Sequence, residues 1–182
     1  MYLTGYHGTT LANANKIIAD HKFYISRSDH EWLANGIYFY FNVEDALKWR
    51  NSEAILHTII KIDDDEFLDI DSQEGSSMFN DIAKQISSTI PDGIINTNFY
   101  SAQKNQCAVI NTMWDACPAI KIIAASFPSE KTSLRTIFDA RPKRREFCVR
   151  ENKYIKYISL IKRGELNDWF KQGFRCSKKE TR

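Results

Sequence analysis

Apolar positions along the chain change their spacing several times, and each change marks an element. Tyr2 to His7 reads as a first strand, and Leu11, Ala14, Ile17 and Ile18 then fall at helical spacing up to about Asp20, with Thr9 or Thr10 as the cap. Phe23 to Ser26 reads as a short extended piece. A polar loop from Arg27 to Asn35 holds Trp32 and Leu33. Gly36 is followed by Ile37-Tyr38-Phe39-Tyr40-Phe41, an apolar and aromatic density that fits a buried or half-buried strand. Alternation puts Tyr38 and Tyr40 on one face and Ile37, Phe39 and Phe41 on the other. Asn42, with Asp45 three residues on, has the form of a capping box for a helix over Val43 to Arg50.

Ala54 to Ile62 is the clearest strand of the middle. Leu56, Thr58, Ile60 and Ile62 share one face and Ile55, His57, Ile59 and Lys61 the other, so a central place is expected. His57, a lone histidine in a strand, reads as structural. Ser76 to Ser88 has a helical stripe of Phe79, Ile82, Ala83 and Ile86. Pro91-Asp92-Gly93 reads as a turn and Ile94-Ile95 as a short edge strand. Ile110, Met113 and Trp114 favour a helix within Ala102 to Trp114. Ile120 to Phe127 reads as a strand, followed by a long polar connection to Arg145. Glu146 to Val149 and Tyr154 to Ile161 then read as a hairpin joined at Asn152 and Lys153. Strands and helices do not alternate throughout, which argues against a doubly wound parallel sheet. The expected class is α+β: a split, mostly antiparallel sheet with flanking helices.

At 182 residues the chain suits one domain spanning 1–182, with a basic tail over 170–182. A formal charge of +2 does not announce a nucleic-acid binder, but charge is unevenly placed. Asp63 to Asp71 is rich in acids, and Arg141, Lys143, Arg144 and Arg145 form a basic run. That run is either a solvated surface or a patch for a phosphorylated partner. Cys107, Cys117, Cys148 and Cys176 include no Cys-x-x-Cys pair, so no metal site is expected. Cys107 and Cys148 sit among apolar residues, as buried thiols do. Without a signal peptide or an apolar run long enough to span a membrane, the reading is a reduced, cytoplasmic protein.

Four residues invite chemistry, each with a plain structural alternative. His7 is either a strand-end histidine or a ring donor to a sugar hydroxyl, and Gly8 beside it would let a flat ligand approach the backbone. Tyr38 and Trp49 are either core aromatics or walls that stack on a ring. Glu146 is either a surface salt-bridge partner or a carboxylate beside a developing cation. Arg144, Arg145 and Arg150 around it favour the ionised form.

Together His7-Gly8-Thr9, then Gly36-Ile37-Tyr38-Phe39 and a helix bearing Trp49, then Glu146 in a late strand, resemble the ADP-ribosyltransferase family in its histidine–tyrosine–glutamate branch. That branch contains the poly(ADP-ribose) polymerases and many bacterial mono-ADP-ribosyltransferases. Trp32-Leu33-Ala34-Asn35-Gly36 is also close to a run found in small bacterial members. The resemblance is strongest over residues 5 to 50 and weaker over 140 to 161. It implies NAD as substrate, bound by His7, Gly8, Thr9, Gly36, Tyr38 and Trp49, with Glu146, His7 and Tyr38 as the catalytic triad. Many polymerases carry a serine on the helix after the tyrosine; here Ala46 stands there. Glu130 and Glu151 are alternative acids. The implied reaction cleaves the nicotinamide–ribose bond and transfers ADP-ribose to a protein, RNA or DNA acceptor met by Arg141, Lys143, Arg144 and Arg145. Tyr24, Tyr100 or Phe138 would stack on an exposed base if the acceptor is nucleic acid. A toxin or effector with an antitoxin or inhibitor protein is the implied setting. Three alternatives are an NAD hydrolase of the same fold, a 2'-phosphotransferase acting on RNA with a related fold that also consumes NAD, and a non-catalytic domain that binds a partner.

Overall fold

The computed structural model describes residues 1–28, 31–89, 99–128 and 143–162. The first strand, β1, is Tyr2–Thr9, and Thr10 caps helix α1 (Leu11–Asp20) by accepting from the Asn13 amide at 3.3 Å. After β2 (Ile37–Tyr40) come α2 (Val43–Lys48) and β3 (Ala54–Lys61). Asn42 takes the extended conformation of an N-cap, but its side chain makes no capping bond. The helix stops at Lys48, short of the expected Arg50. Trp49–Asn51 is a separate 3₁₀ turn, with Arg50 at a left-handed φ of 39°. The acidic run forms a 3₁₀ turn at Asp64–Glu66, closed by a capping box between Asp63 and Glu66, and then a short strand β4 (Phe67–Asp69). Two helices follow, α3 (Gln73–Thr89) and α4 (Phe99–Ala116). Then come β5 (Ile122–Pro128), β6 (Lys143–Val149) and β7 (Ile155–Lys162).

Among the described residues seven strands make one sheet in the order β4-β5-β6-β2-β1-β3-β7. All neighbours are antiparallel except β4 and β5. The class is α+β, with four α-helices among the described residues. The expected hairpin of β6 and β7 does not form. β6 lies between β2 and β5, whereas β7 pairs with β3 at the far edge. The chain crosses through a 3₁₀ turn at Asn152–Tyr154, and the Asn152 side chain ties that turn to the backbone of Phe23 with two bonds of 2.7 and 3.0 Å. Along β7, Ile155, Ile158 and Leu160 pack against the cluster that holds Leu56 and Ile60 of β3, and Ile161 joins the one that holds Ile55.

Alternation divides the core. Ile37, Phe39, Leu56, Ile60, Phe147 and Val149 point to one face, where Ala14 and Ile17 of α1 cover them. On the other face α4 packs Val109, Ile110, Met113 and Trp114 over Ile123, Ala125 and Cys148. Beside that cluster, Val43 and Ala46 of α2 pack on Tyr6, Tyr40 and Ile55. Cys107 and Cys148 are buried free thiols. The His57 ring lies 5.5 Å from that of Tyr6 and 6.2 Å from that of Tyr157, with Nδ1 and the Ser159 hydroxyl 3.3 Å apart. Among the described residues no helix is long and apolar enough to cross a membrane.

Candidate active site

β1 and β2 meet at a single register pair, Tyr6 with Tyr40, whereas β2 pairs with β6 along its whole length and β1 with β3 along all of its own. Where β1 and β2 part, the Nδ1 of His7 bonds the carbonyl oxygen of Tyr38 at 2.9 Å. A cleft of about 110 Å³ lies there. His7, Gly8, Gly36, Tyr38, Trp49 and Glu146 line it, bringing together residues up to 139 positions apart in sequence. Tyr24, Ser26, Glu31 and Tyr40 complete the wall. Thr9 pairs with Ala54 and is not part of that wall.

A carbonyl only accepts, so His7 carries its proton on Nδ1 and, when neutral, offers Nε2 as an acceptor. Burial lowers its pKa below the usual 6.5 and outweighs the Tyr38 bond, so the neutral ring is favoured. Nε2 is therefore able to accept from a hydroxyl, whereas the sequence suggested a donor. Phe23 and Phe39 meet the ring edge-on, with centroids 5.3 and 6.0 Å away.

Gly8 is required by packing. A Cβ there would overlap the carbonyl oxygen of Ala46 and the hydroxyl of Ser52. The α-carbon of Gly8 thus seats the end of α2, and Ser52, 3% exposed, donates toward the carbonyls of Ala46 (2.7 Å) and Trp49 (2.5 Å). The missing Cβ thus makes room for the end of α2, while Gly8 also lines the cleft. A Cβ at Gly36 would likewise strike the Cys148 sulfur and the Val149 carbonyl.

Tyr38 is anchored at its hydroxyl, which donates to the Ala34 carbonyl at 2.6 Å and accepts from the Leu33 amide at 3.0 Å. Burial holds its pKa far above the ordinary range for tyrosine. The ring beside Trp49 is Tyr40, with centroids 6.4 Å apart and planes inclined by 51°. The Arg50 guanidinium covers Trp49 at 4.9 Å.

Glu146 lies mid-strand, in register with Tyr40, and is only 5% exposed. Arg144, two residues back on the same face, forms an ion pair with it at 2.6 Å and sits 5.5 Å from the Tyr40 ring centre. Burial pushes the Glu146 carboxyl up to about 7, against the pull of Arg144; the charges of Glu31 and Asp45 add to the rise. The arginines therefore do not keep it fully ionised at neutral pH. Arg145 points to the opposite face, where it pairs with Asp69 and covers the Phe41 ring at 4.9 Å. Arg144 and Arg145 are thus each ion-paired within the protein, on opposite faces of β6. Arg141, Phe138 and Glu130 lie outside the described residues, as does the basic tail. Lys143 opens β6, and Tyr100 falls in the first turn of α4. Glu151 pairs with Lys153 at 3.0 Å, away from the cleft. Tyr24 is 57% exposed, with the Lys16 ammonium 5.1 Å over its ring.

Ser26 and Glu31 carry no catalytic signature in the sequence, where they are ordinary members of a polar loop. Ser26 exchanges two backbone bonds with Gly36, at 2.8 and 3.0 Å, and its hydroxyl donates to Glu31 Oε1 at 2.6 Å. Among the described residues no group of histidine, cysteine or acid side chains could hold a metal ion.

No protein-family model matches the chain. A 98-residue stretch is 31% identical to an uncharacterized protein of Methanocaldococcus jannaschii, covering 48% of this chain and 46% of that protein. The chain thus spans about half the length of the curated relative it matches.

Proposed function

We propose that the protein is an NAD-dependent mono-ADP-ribosyltransferase of the histidine–tyrosine–glutamate kind, acting in a reduced, cytoplasmic setting. The observation that carries the reading is the convergence of His7, Tyr38, Trp49 and Glu146, from four separate elements, on one cleft. The cleft is small and walled by aromatic rings, which suits one planar ring such as nicotinamide; the rest of NAD would extend beyond it.

In this reading Trp49 and Tyr40 form one aromatic wall and Tyr38 another. His7 Nε2 accepts a hydroxyl proton from a ribose. Glu146, when ionised, accepts the hydroxyl next to the reacting carbon and stabilises the positive charge that develops there as nicotinamide leaves. Burial suits that task, because a desolvated carboxylate interacts strongly with a nearby cation. Arg144 restrains the carboxylate at 2.6 Å and counters the cost of ionising it. The acceptor is a protein or a nucleic acid, and an antitoxin or inhibitor protein would be its natural regulator.

Biotin-labelled NAD incubated with the protein and a cell lysate tests the reading. A labelled product removed by protease or by nuclease supports it and names the acceptor class. Absence of any labelled macromolecule, with NAD left intact, refutes it.

A further inference from the structure

The cleft holds a second carboxylate. Glu146 rises from the sheet, almost wholly buried and paired with a guanidinium. Glu31 comes from the loop before β2, is partly exposed, and lines the same cleft. Its partner among the described side chains is a hydroxyl, Ser26, at 2.6 Å. Ser26 is itself fixed by its two backbone bonds to Gly36, and beyond Glu31 the Tyr38 hydroxyl ties Leu33 and Ala34 while the Asn111 side chain accepts from the Asn35 amide at 2.9 Å. Glu31 is close enough for its charge to raise Glu146. Glu31 is thus a cleft-lining carboxylate held by a hydroxyl and partly open to solvent.

We propose that Glu31 is the base of the reaction, taking the proton of the attacking acceptor. The proposal rests on the transferase reading above. The two acids then divide the work by environment: the buried one stabilises charge and the exposed one exchanges a proton. The bond between the ribose carbon and the nicotinamide nitrogen breaks, and its electron pair goes to that nitrogen, which loses its positive charge. A lone pair on the acceptor oxygen forms the new bond to the ribose carbon. The acceptor proton passes to Glu31 and then to solvent. A neutral hydroxyl or water attacks poorly until that proton leaves, which is why a base is needed.

The test uses the full chain, NAD, and either water or azide as acceptor. Azide is an anion and has no proton to lose. Glu31→Gln is expected to slow nicotinamide release in plain buffer by about 10²-fold, to leave NAD affinity by calorimetry nearly unchanged, and to regain turnover with azide, yielding ADP-ribosyl azide. Glu146→Gln is expected to gain nothing from azide. Ser26→Ala, which keeps the carboxylate but frees it, is expected to lose part of the rate and recover it with azide. That variant serves where Glu31→Gln lowers the melting temperature. An active parent with an inactive Glu146→Gln but a fully active Glu31→Gln overturns the role of Glu31 alone. Loss of rate without azide rescue, or with weakened NAD binding, also overturns it. A parent that releases no nicotinamide with water or azide and labels no macromolecule of a cell lysate overturns the transferase reading and this role with it.

Discussion

Glu146→Gln replaces a buried acid with a neutral group of the same shape, and its effect on stability depends on pH in a calculable way. Burial raises the Glu146 carboxyl from an ordinary 4.5 to about 7. At about 1.4 kcal/mol per pH unit, that rise corresponds to about 3 kcal/mol. The fold holds the proton more tightly than the unfolded chain does. Below pH 4.5 both states are protonated and the group adds nothing. As pH rises the unfolded chain ionises first, so stability falls until the folded carboxyl ionises near pH 7, and the cost stays constant above that. Urea denaturation of parent and variant, from about pH 4 to about pH 8, isolates this contribution. The variant also leaves Arg144 without its ion-pair partner, but that is a nearly fixed offset. The parent should lose about 3 kcal/mol more than the variant across the range. Two parallel stability curves would refute the reasoning, since they would mean that the carboxyl titrates alike in the folded and unfolded chain.

Removing Arg144 takes away the charge that holds Glu146 down, so Arg144→Gln should move the pH midpoint of nicotinamide release upward from about 7; a steady-state pH profile reads it directly. Gly8→Ala forces a methyl group into the Ala46 carbonyl and the Ser52 hydroxyl, and should destabilise the fold by about 1–3 kcal/mol in urea. Tyr38→Phe strips the Leu33 amide of its acceptor, for a cost of about 1–3 kcal/mol. Its local mark should be faster hydrogen exchange at the Leu33 and Gly36 amides.

Period-two alternation correctly assigned the faces of β2 and β3, because each has one set of side chains against a helix and another on the opposite side of the sheet. Six of the seven described strands were legible; strand partners were not. Two apolar strands joined by Asn152 and Lys153 look like a hairpin locally, yet β7 pairs with β3, and the Asn152 tie to Phe23 holds the crossing turn. β4 escaped notice because its three residues sit within the acidic run and pair with β5, more than fifty positions away. In the site, His7, Tyr38, Trp49 and Glu146 were picked out by residue type and order. Their environments were not legible. Three arginines near Glu146 in sequence suggested an ionised acid, but alternation sends Arg145 to the other face and leaves burial dominant. Glu31 was missed because a polar loop residue acquires meaning only when Ser26 and Gly36 fold it against the cleft.

The most direct test of the central claim is nicotinamide release from NAD, followed by chromatography, for the parent and Glu146→Gln at about pH 8, where the parent carboxylate is mostly ionised. The account predicts steady release by the parent and a rate lower by about 10²-fold or more in the variant, with NAD affinity little changed. Equal rates in the two proteins would contradict it.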